Sequence, residues 1–154
     1  MGLRPRRGSA GYALSLPGAS IDSIGHEFAL AASLPSMGPR LNAAGGAPVE
    51  SKLVLYSDRT TEIGIWEVTP GQFPAHKDDV GELMQFISGR GTITDATGTT
   101  EIGPGVVMYT PDGWTGVWDV QETVRKTYAI HRTKPRLHHG ARVISRRLRA
   151  KLGR

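Results

Sequence analysis

The sequence predicts an all-β domain, and its composition and its hydrophobic pattern both point that way. The 154 residues include 20 glycines and 10 prolines, a composition typical of many turns and few long helices. Between Glu50 and Ile130, short runs of β-branched and aromatic residues alternate with turn sequences, with no helical pattern between them. Runs at this spacing favour a sandwich or a closed barrel over a parallel α/β sheet.

The predicted strands are short, and most end at a turn sequence rich in glycine, proline or aspartate. The predicted strands are Leu53–Tyr56, Thr61–Val68, Leu83–Ile87, Thr92–Thr94, Val106–Tyr109, Gly116–Val120 and Val124–Ile130. The turns between them are Ser57–Arg59, Thr69–Gly71, Ser88–Gly91, Ala96–Gly98, Gly103–Gly105 and Pro111–Gly113. We therefore place the barrel at residues 49–131, preceded by a leader and irregular arm at 1–48 and followed by a basic tail at 132–154.

The charges are divided between the middle of the chain and its ends. The formal charge is +5, yet all 14 acidic residues lie between Asp22 and Glu122, where the basic residues are few. An acidic domain repels phosphate backbones, so the basic balance does not by itself indicate a nucleic-acid-binding domain. The absence of cysteine excludes disulfides and thiolate metal sites, and no apolar run approaches the roughly 20 residues of a membrane-spanning helix. A cytoplasmic protein is expected.

The two ends are open to more than one interpretation. In the leader, the apolar segment Ala13–Leu16 stops at Pro17 without a clear cleavage pattern, so a disordered leader or an upstream start codon competes with an export or transit signal. A short packing helix around residues 21–28 is possible, and residues 35–48 are turn-rich. In the tail, Ile144 and Leu148 follow helical spacing among arginines, which suits an anionic partner such as nucleic acid or a membrane. A solvated terminal segment is favoured over that interpretation.

Candidate metal ligands cluster in one stretch of the predicted barrel. His76, Asp78 and Glu82 share one parity with Met84 and Phe86, so in an extended chain they share a face. One imidazole and two carboxylates suit a divalent ion such as manganese or ferrous iron. The competing interpretation is an exposed charged loop.

The same stretch resembles a known family. His76-x-Asp78-x3-Glu82-x6-Gly89 is similar to the first cupin motif, and Gly105-x5-Pro111-x-Gly113 to the start of the second. Further matching segments resemble the Cupin_3 or DUF861 branch, which includes the C-terminal domain of ureidoglycine aminohydrolase and the ethanolamine-utilisation cupin. These segments are Gly64–Glu67, Thr69–Gly71, Gly91–Asp95, Gly113–Trp118 and Glu122–Lys126. The resemblance implies a double-stranded β-helix, the cupin jelly-roll barrel, usually paired into a homodimer.

Two departures from the family pattern bear on function. Asp78 stands where the first motif usually has its second histidine, and Gly116 stands where the second motif supplies a ligand. His76, Asp78 and Glu82 would then form an incomplete set, so the resemblance implies either no metal or one weakly bound divalent ion. His131 is interpreted as a rim residue.

Aromatic residues supply a second candidate site. Trp114 and Trp118 are four apart and flank Gly116, so their side chains are expected to face the space beside that glycine. With Met84, Phe86 and Tyr109 they would line a pocket for a small planar or partly apolar ligand. The alternative is that these side chains simply fill the barrel.

Three functional hypotheses follow, and the sequence does not decide whether the protein is an enzyme. The first is a cupin that binds a small molecule with an incomplete or weak metal site. The second is a metal-dependent enzyme acting on a small nitrogenous metabolite, by resemblance to the aminohydrolase. The third is an interaction module that uses the basic tail.

Overall fold

The structure is a computed structural model that describes residues 32–134. Every regular element in this part of the chain is a β-strand, which confirms the predicted all-β class. The leader, the short helix considered near residue 24 and the tail from residue 135 onward lie outside the described residues. Within residues 32–134 there is no helix long and apolar enough to cross a membrane.

The described strands form one curled, antiparallel sheet. They are β1 (Ser36–Pro39), β2 (Gly45–Gly46), β3 (Val49–Ser57), β4 (Thr61–Val68), β5 (Gly71–His76), β6 (Val80–Asp95), β7 (Gly98–Ile102), β8 (Val107–Thr110) and β9 (Thr115–Arg132). The order along the sheet is β1-β3-β4-β9-β5-β2, and β6 joins it through β9 while also pairing with β7 and β8. This is the predicted double-stranded β-helix.

Strand β9 is the seam of the barrel. Its second half pairs with β4 on one edge, its first half pairs with β5, and β6 runs along its other edge over most of its length. The sheet curls around an apolar core in which Trp118 is central: its ring lies 5.6 Å from Trp66 and 5.9 Å from both Phe73 and Phe86, measured between centroids.

Two pairs of predicted runs each form one continuous strand. The runs 83–87 and 92–94 belong to the single strand β6, and the runs 116–120 and 124–130 belong to β9. The predicted turn at Ser88–Gly91 is instead a series of register shifts within the β6–β9 pair. Gly89 has a φ of 84°, and a Cβ there would collide with the backbone of Thr123. Glycine therefore lets the strand bend here while it remains paired.

Residues 32–48 lie over the barrel as an arm. Strand β1 pairs with β3, and β2 pairs with β5. Between them, Arg40 places its guanidinium 4.4 Å from the centroid of the Phe73 ring, forms an ion pair with Glu50 and donates a hydrogen bond to the carbonyl of Pro74 at 3.2 Å. The arm thereby covers one end of the barrel interior.

Candidate functional site

A cavity of about 190 Å³ lies beneath the arm. Its aromatic wall is formed by Trp66, Phe73, Trp118 and Tyr128. Four cationic side chains also line it: Arg40, Lys52, Lys77 and Lys126. Three carboxylates, Glu50, Glu62 and Glu82, complete the charged part of the lining. An apolar wall with a few convergent polar groups is the general form of a small-molecule site.

Glu82 is the most deeply placed carboxylate of the cavity. The alternation of β6 turns it inward together with Met84 and Phe86, and its side chain is only 4% exposed. Lys126 donates a hydrogen bond to Oε1 at 2.8 Å, and Lys77 forms an ion pair with Oε2. One buried carboxylate is thus shared between two ammonium groups.

Lys126 reaches Glu82 from the seam strand. In the register of the sheet it stands opposite Trp66 on one side and Phe86 on the other. Its Nζ lies 4.7 Å from the centroid of the Trp66 ring and 5.0 Å from that of Trp118, within the range of cation–π attraction. The charged end of this lysine is therefore held by two aromatic faces and one carboxylate.

The two partners of this ion pair respond differently to burial. Burial lowers the pKa of Lys126 to about 8, because the attraction of Glu82 only partly offsets lost hydration and the repulsion from Lys77 and Arg40. Burial also disfavours the charged form of Glu82, but its two ammonium partners together hold the pKa of this carboxyl below its usual range. The asymmetry arises because one carboxylate serves two cations.

The other two carboxylates of the cavity have their own cations. Glu50 pairs with Arg40 and accepts a hydrogen bond from the indole nitrogen of Trp66 at 3.2 Å. Glu62 accepts hydrogen bonds from Lys52 and from the hydroxyl of Tyr128, each at 3.1 Å. The surplus of cationic over anionic groups in the lining therefore lies at the Lys77–Glu82–Lys126 cluster.

The structure separates the three predicted metal ligands. His76 ends β5 and Asp78 lies in the following turn, with side chains 69% and 82% exposed. Their closest atoms, His76 Nε2 and Asp78 Oδ2, are 3.3 Å apart. Glu82 instead faces the interior with its two lysines. Among residues 32–134, no three histidine or carboxylate side chains are grouped so that they could hold a metal ion.

Comparison with known proteins identifies the family. The family described as the EutQ-like cupin domain, Cupin_3, matches residues 55–128, from β3 to near the end of β9. The domain belongs to the Cupin_3 family. This agrees with the branch to which the sequence motifs point. Among curated proteins, none matches the chain.

Solved structures carry the same cupin fold. A DUF861-family protein of unknown function from Pseudomonas syringae pv. tomato is 26% identical, with a TM-score of 0.59, over 66% of this chain and 45% of its own length. The EutQ protein of Clostridium difficile is 17% identical, with a TM-score of 0.52, over 62% and 77%. The polyketide cyclase RemF of Streptomyces resistomycificus is 14% identical, with a TM-score of 0.53, over 77% and 83%. The chain spans less than half of the Pseudomonas protein.

The cupin fold raises the question of a bound divalent metal, and the described residues do not fit one. Both oxygens of Glu82 face ammonium groups, whose positive charge opposes a second cation at the same place. At Gly116, a Cβ would meet the Trp114 ring, so the indole covers the position where the family pattern places a ligand. The metal set His76, Asp78 and Glu82 stays a prediction from the sequence.

The predicted pocket residues have different locations in this cupin. Trp118 lines the cavity, whereas Met84 and Phe86 are fully buried in the core outside its lining. Trp114 packs beside Gly116 and donates a hydrogen bond to Asp95 Oδ2 at 2.9 Å. Tyr109 is on the outer face, 52% exposed, where its hydroxyl meets His131 Nε2 at 2.7 Å.

Several cavity residues were missed by the sequence interpretation. Lys126 is the most informative, because it shares parity with Val124 and Tyr128 on the seam strand, and both of those side chains are buried. A charged residue on the apolar face of a strand was the available signal for a buried ion pair. Trp66 and Phe73 carried no comparable signal, since an aromatic residue in a strand is ordinary core material.

Proposed function

We propose that this cupin domain binds a small organic molecule in the cavity beneath the arm. The observation that carries the proposal is that the buried Glu82, with its two ammonium partners, and the rings of Trp66 and Trp118 line one cavity of about 190 Å³. A structural core has no need for a buried ion pair, because apolar side chains of similar volume are generally at least as stabilising. Converging polar groups beside an aromatic wall are instead what orients a ligand.

A substitution that fills the cavity tests this proposal directly. Ala75 lines the cavity, so Ala75→Phe should occlude it, whereas Ala96→Phe places the same ring on an exposed turn between β6 and β7. Small molecules from a fragment collection are expected to raise the melting temperature of the wild type and of Ala96→Phe, but not of Ala75→Phe. Stabilisation that survives in Ala75→Phe would place binding outside the cavity and overturn the proposal.

We further propose that two copies pair through the outer face of the sheet. Apolar residues form a row there in register across four strands: Tyr109 of β8 opposes Leu83 of β6, which opposes Ala129 of β9, which in turn opposes Ile63 of β4. Leu83 is 50% exposed and Ile63 39%. A continuous exposed apolar row is typical of an interaction surface, and a two-fold axis uses one such surface twice.

Replacing one residue in the middle of this row tests the pairing. Leu83→Glu places two carboxylates at a symmetric interface and should convert a dimer to a monomer in analytical ultracentrifugation. Thr100→Glu adds the same charge to an exposed position on β7 and should leave the mass of the assembly unchanged. A wild type that sediments as a monomer at high concentration would refute this proposal without bearing on the cavity.

A further inference from the structure

The cavity lining carries more positive than negative charge, which indicates the kind of molecule it would accept. We propose that its ligand is a small organic anion, a carboxylate on a flat or apolar group, and that the ammonium groups of Lys77 and Lys126 hold the carboxylate. This inference rests on the proposed binding of a small molecule in the cavity. It adds the chemical class of the ligand and the side chains that recognise it.

The net positive charge that a ligand would meet is concentrated around Glu82, at the ammonium groups of Lys77 and Lys126. Within the lining, Arg40 has Glu50 as its carboxylate and Lys52 has Glu62. Glu62 also lies 3.7 Å from Arg132, which does not line the cavity. Among the residues that the structure describes, Lys77 and Lys126 instead share one carboxylate, that of Glu82. A single negative charge brought by a ligand would neutralise this cluster, whereas a second cation would be repelled.

The ammonium pair supplies the positive charge that a divalent ion supplies in a metal site. Two unit charges stand at the oxygens of one buried carboxylate, at a point where water has little access. Charge-assisted hydrogen bonds are strongest in such surroundings, and an ammonium group has three donors. Each lysine can therefore keep Glu82 as a partner and still donate to a ligand carboxylate.

The two lysines differ in how a ligand would reach them. The side chain of Lys77 is 18% exposed, whereas that of Lys126 is 5% exposed beside the Trp66 and Trp118 rings. We therefore expect the ligand carboxylate to contact Lys77 directly and Lys126 at the inner end. The apolar part of the ligand would lie against the aromatic wall.

Two buried hydrogen-bond donors on cavity residues also favour an anionic ligand. The indole nitrogen of Trp118 and Nε of Arg40 have no hydrogen-bond acceptor among the described residues. Buried donors are almost always paired in folded proteins, so each such exception requires an explanation. A carboxylate carries only acceptors, and it is the kind of group that a lining with surplus donors would select.

Ligands of one shape and different charge test the inference. Benzoate, benzamide and benzamidinium share a flat ring and carry negative, zero and positive charge, and acetate with acetamide form a smaller pair. In calorimetric titrations of the wild-type chain, each carboxylate should bind at least about tenfold more tightly than its neutral amide, because a charge-assisted hydrogen bond contributes more than a neutral one. Benzamidinium should show no binding.

Lysine variants locate the contact. Lys77→Met removes one ammonium group and should weaken the binding of the carboxylate at least about tenfold, to near the affinity of the amide. Lys134→Met makes the same change of net charge at a 72% exposed position and should leave binding unchanged. If Lys77→Met does not fold, the comparison of benzoate with benzamide on the wild type still decides the charge preference.

Different experimental results would refute the anion inference and the proposed small-molecule binding on which it rests. Equal affinity for the carboxylates and their amides, with both lost in Ala75→Phe, would overturn the anion inference and leave small-molecule binding intact. Binding of benzoate that is unchanged in Lys77→Met, or that is lost in Lys134→Met, would also overturn it. A fragment collection that gives no binder lost in Ala75→Phe would refute the proposed function itself.

Discussion

The two faces of the sheet at β6 and β9 contrast sharply. Glu82 and Leu83 are neighbours in sequence, yet the carboxylate is buried with a 4% exposed side chain, and the leucine beside it is 50% exposed. The same inversion continues across the sheet, where Lys126 is inside and Ile63 is outside. In a sheet with one face on the core and the other in water, the charged side chains would be exposed and the apolar ones buried. Both faces therefore depart from simple burial, and we assign a ligand to one and a partner copy to the other.

The largest expected effect comes from breaking the buried charge cluster. Glu82→Gln should lower the free energy of unfolding by about 3–5 kcal/mol, because it leaves two ammonium groups without their carboxylate. Leu83→Gln, one residue away on the outer face, should change it by about 0.5 kcal/mol or less when the protein is dilute enough to be monomeric. Urea unfolding measures both. Equal losses in the two variants would mean that the inner and outer faces do not differ as described.

Two tyrosines offer the next comparison. The hydroxyl of Tyr128 donates to Glu62 inside the cavity, and burial together with that carboxylate raises the pKa of Tyr128. Tyr128→Phe should therefore cost about 1.5–3 kcal/mol of unfolding free energy, the range for a hydrogen bond to a charged group. Tyr109→Phe removes an exposed hydrogen bond to His131 and should cost about 0.5 kcal/mol or less. A reversed order would contradict the assignment of faces.

The pH dependence of the free energy of unfolding reports on the protonation of Lys126. Its pKa is about 8 in the folded protein against an ordinary 10.5, so between these values the unfolded chain binds more protons and stability rises with pH. The slope contributed by this group is at most about 1.4 kcal/mol per pH unit. Unfolding free energies at pH 7.5 and 9.5 should show this gain in the wild type and in Leu83→Gln, and not in Lys126→Met. A gain that persists in Lys126→Met would assign it to another group.

The smallest expected effect is that of added divalent metal. Because both oxygens of Glu82 face ammonium groups, manganese(II) or anaerobic iron(II) should leave the melting temperature of the wild type unchanged. Metal content after dialysis provides an independent measurement. Stoichiometric metal that disappears in His76→Ala and in Glu82→Gln would instead support the ligand set predicted from the sequence motifs.

Local patterns predicted much of the barrel but little of the cavity. The strand Thr61–Val68 was predicted with its bounds, and alternation alone places Glu82, Met84 and Phe86 on one face, which the structure buries. Strand β5 was not predicted, because Pro74 lies within it and a proline inside a run argues against a strand. The long seam strand was divided in two, since only its pairing with β6 reveals that it continues.

The amino-acid sequence by itself determined the all-β class, the cupin family and the common face of Glu82, Met84 and Phe86, because alternation and turn chemistry are local properties of the chain. The tertiary structure decided what Glu82 meets there. Lys126 is 44 residues away in sequence and contacts Glu82 because of the register of β6 against β9. Arg40 lies in the cavity lining because the arm packs over the barrel. Register between distant strands depends on the packing of the whole sheet, and so no local pattern could assign the cluster that forms the candidate site.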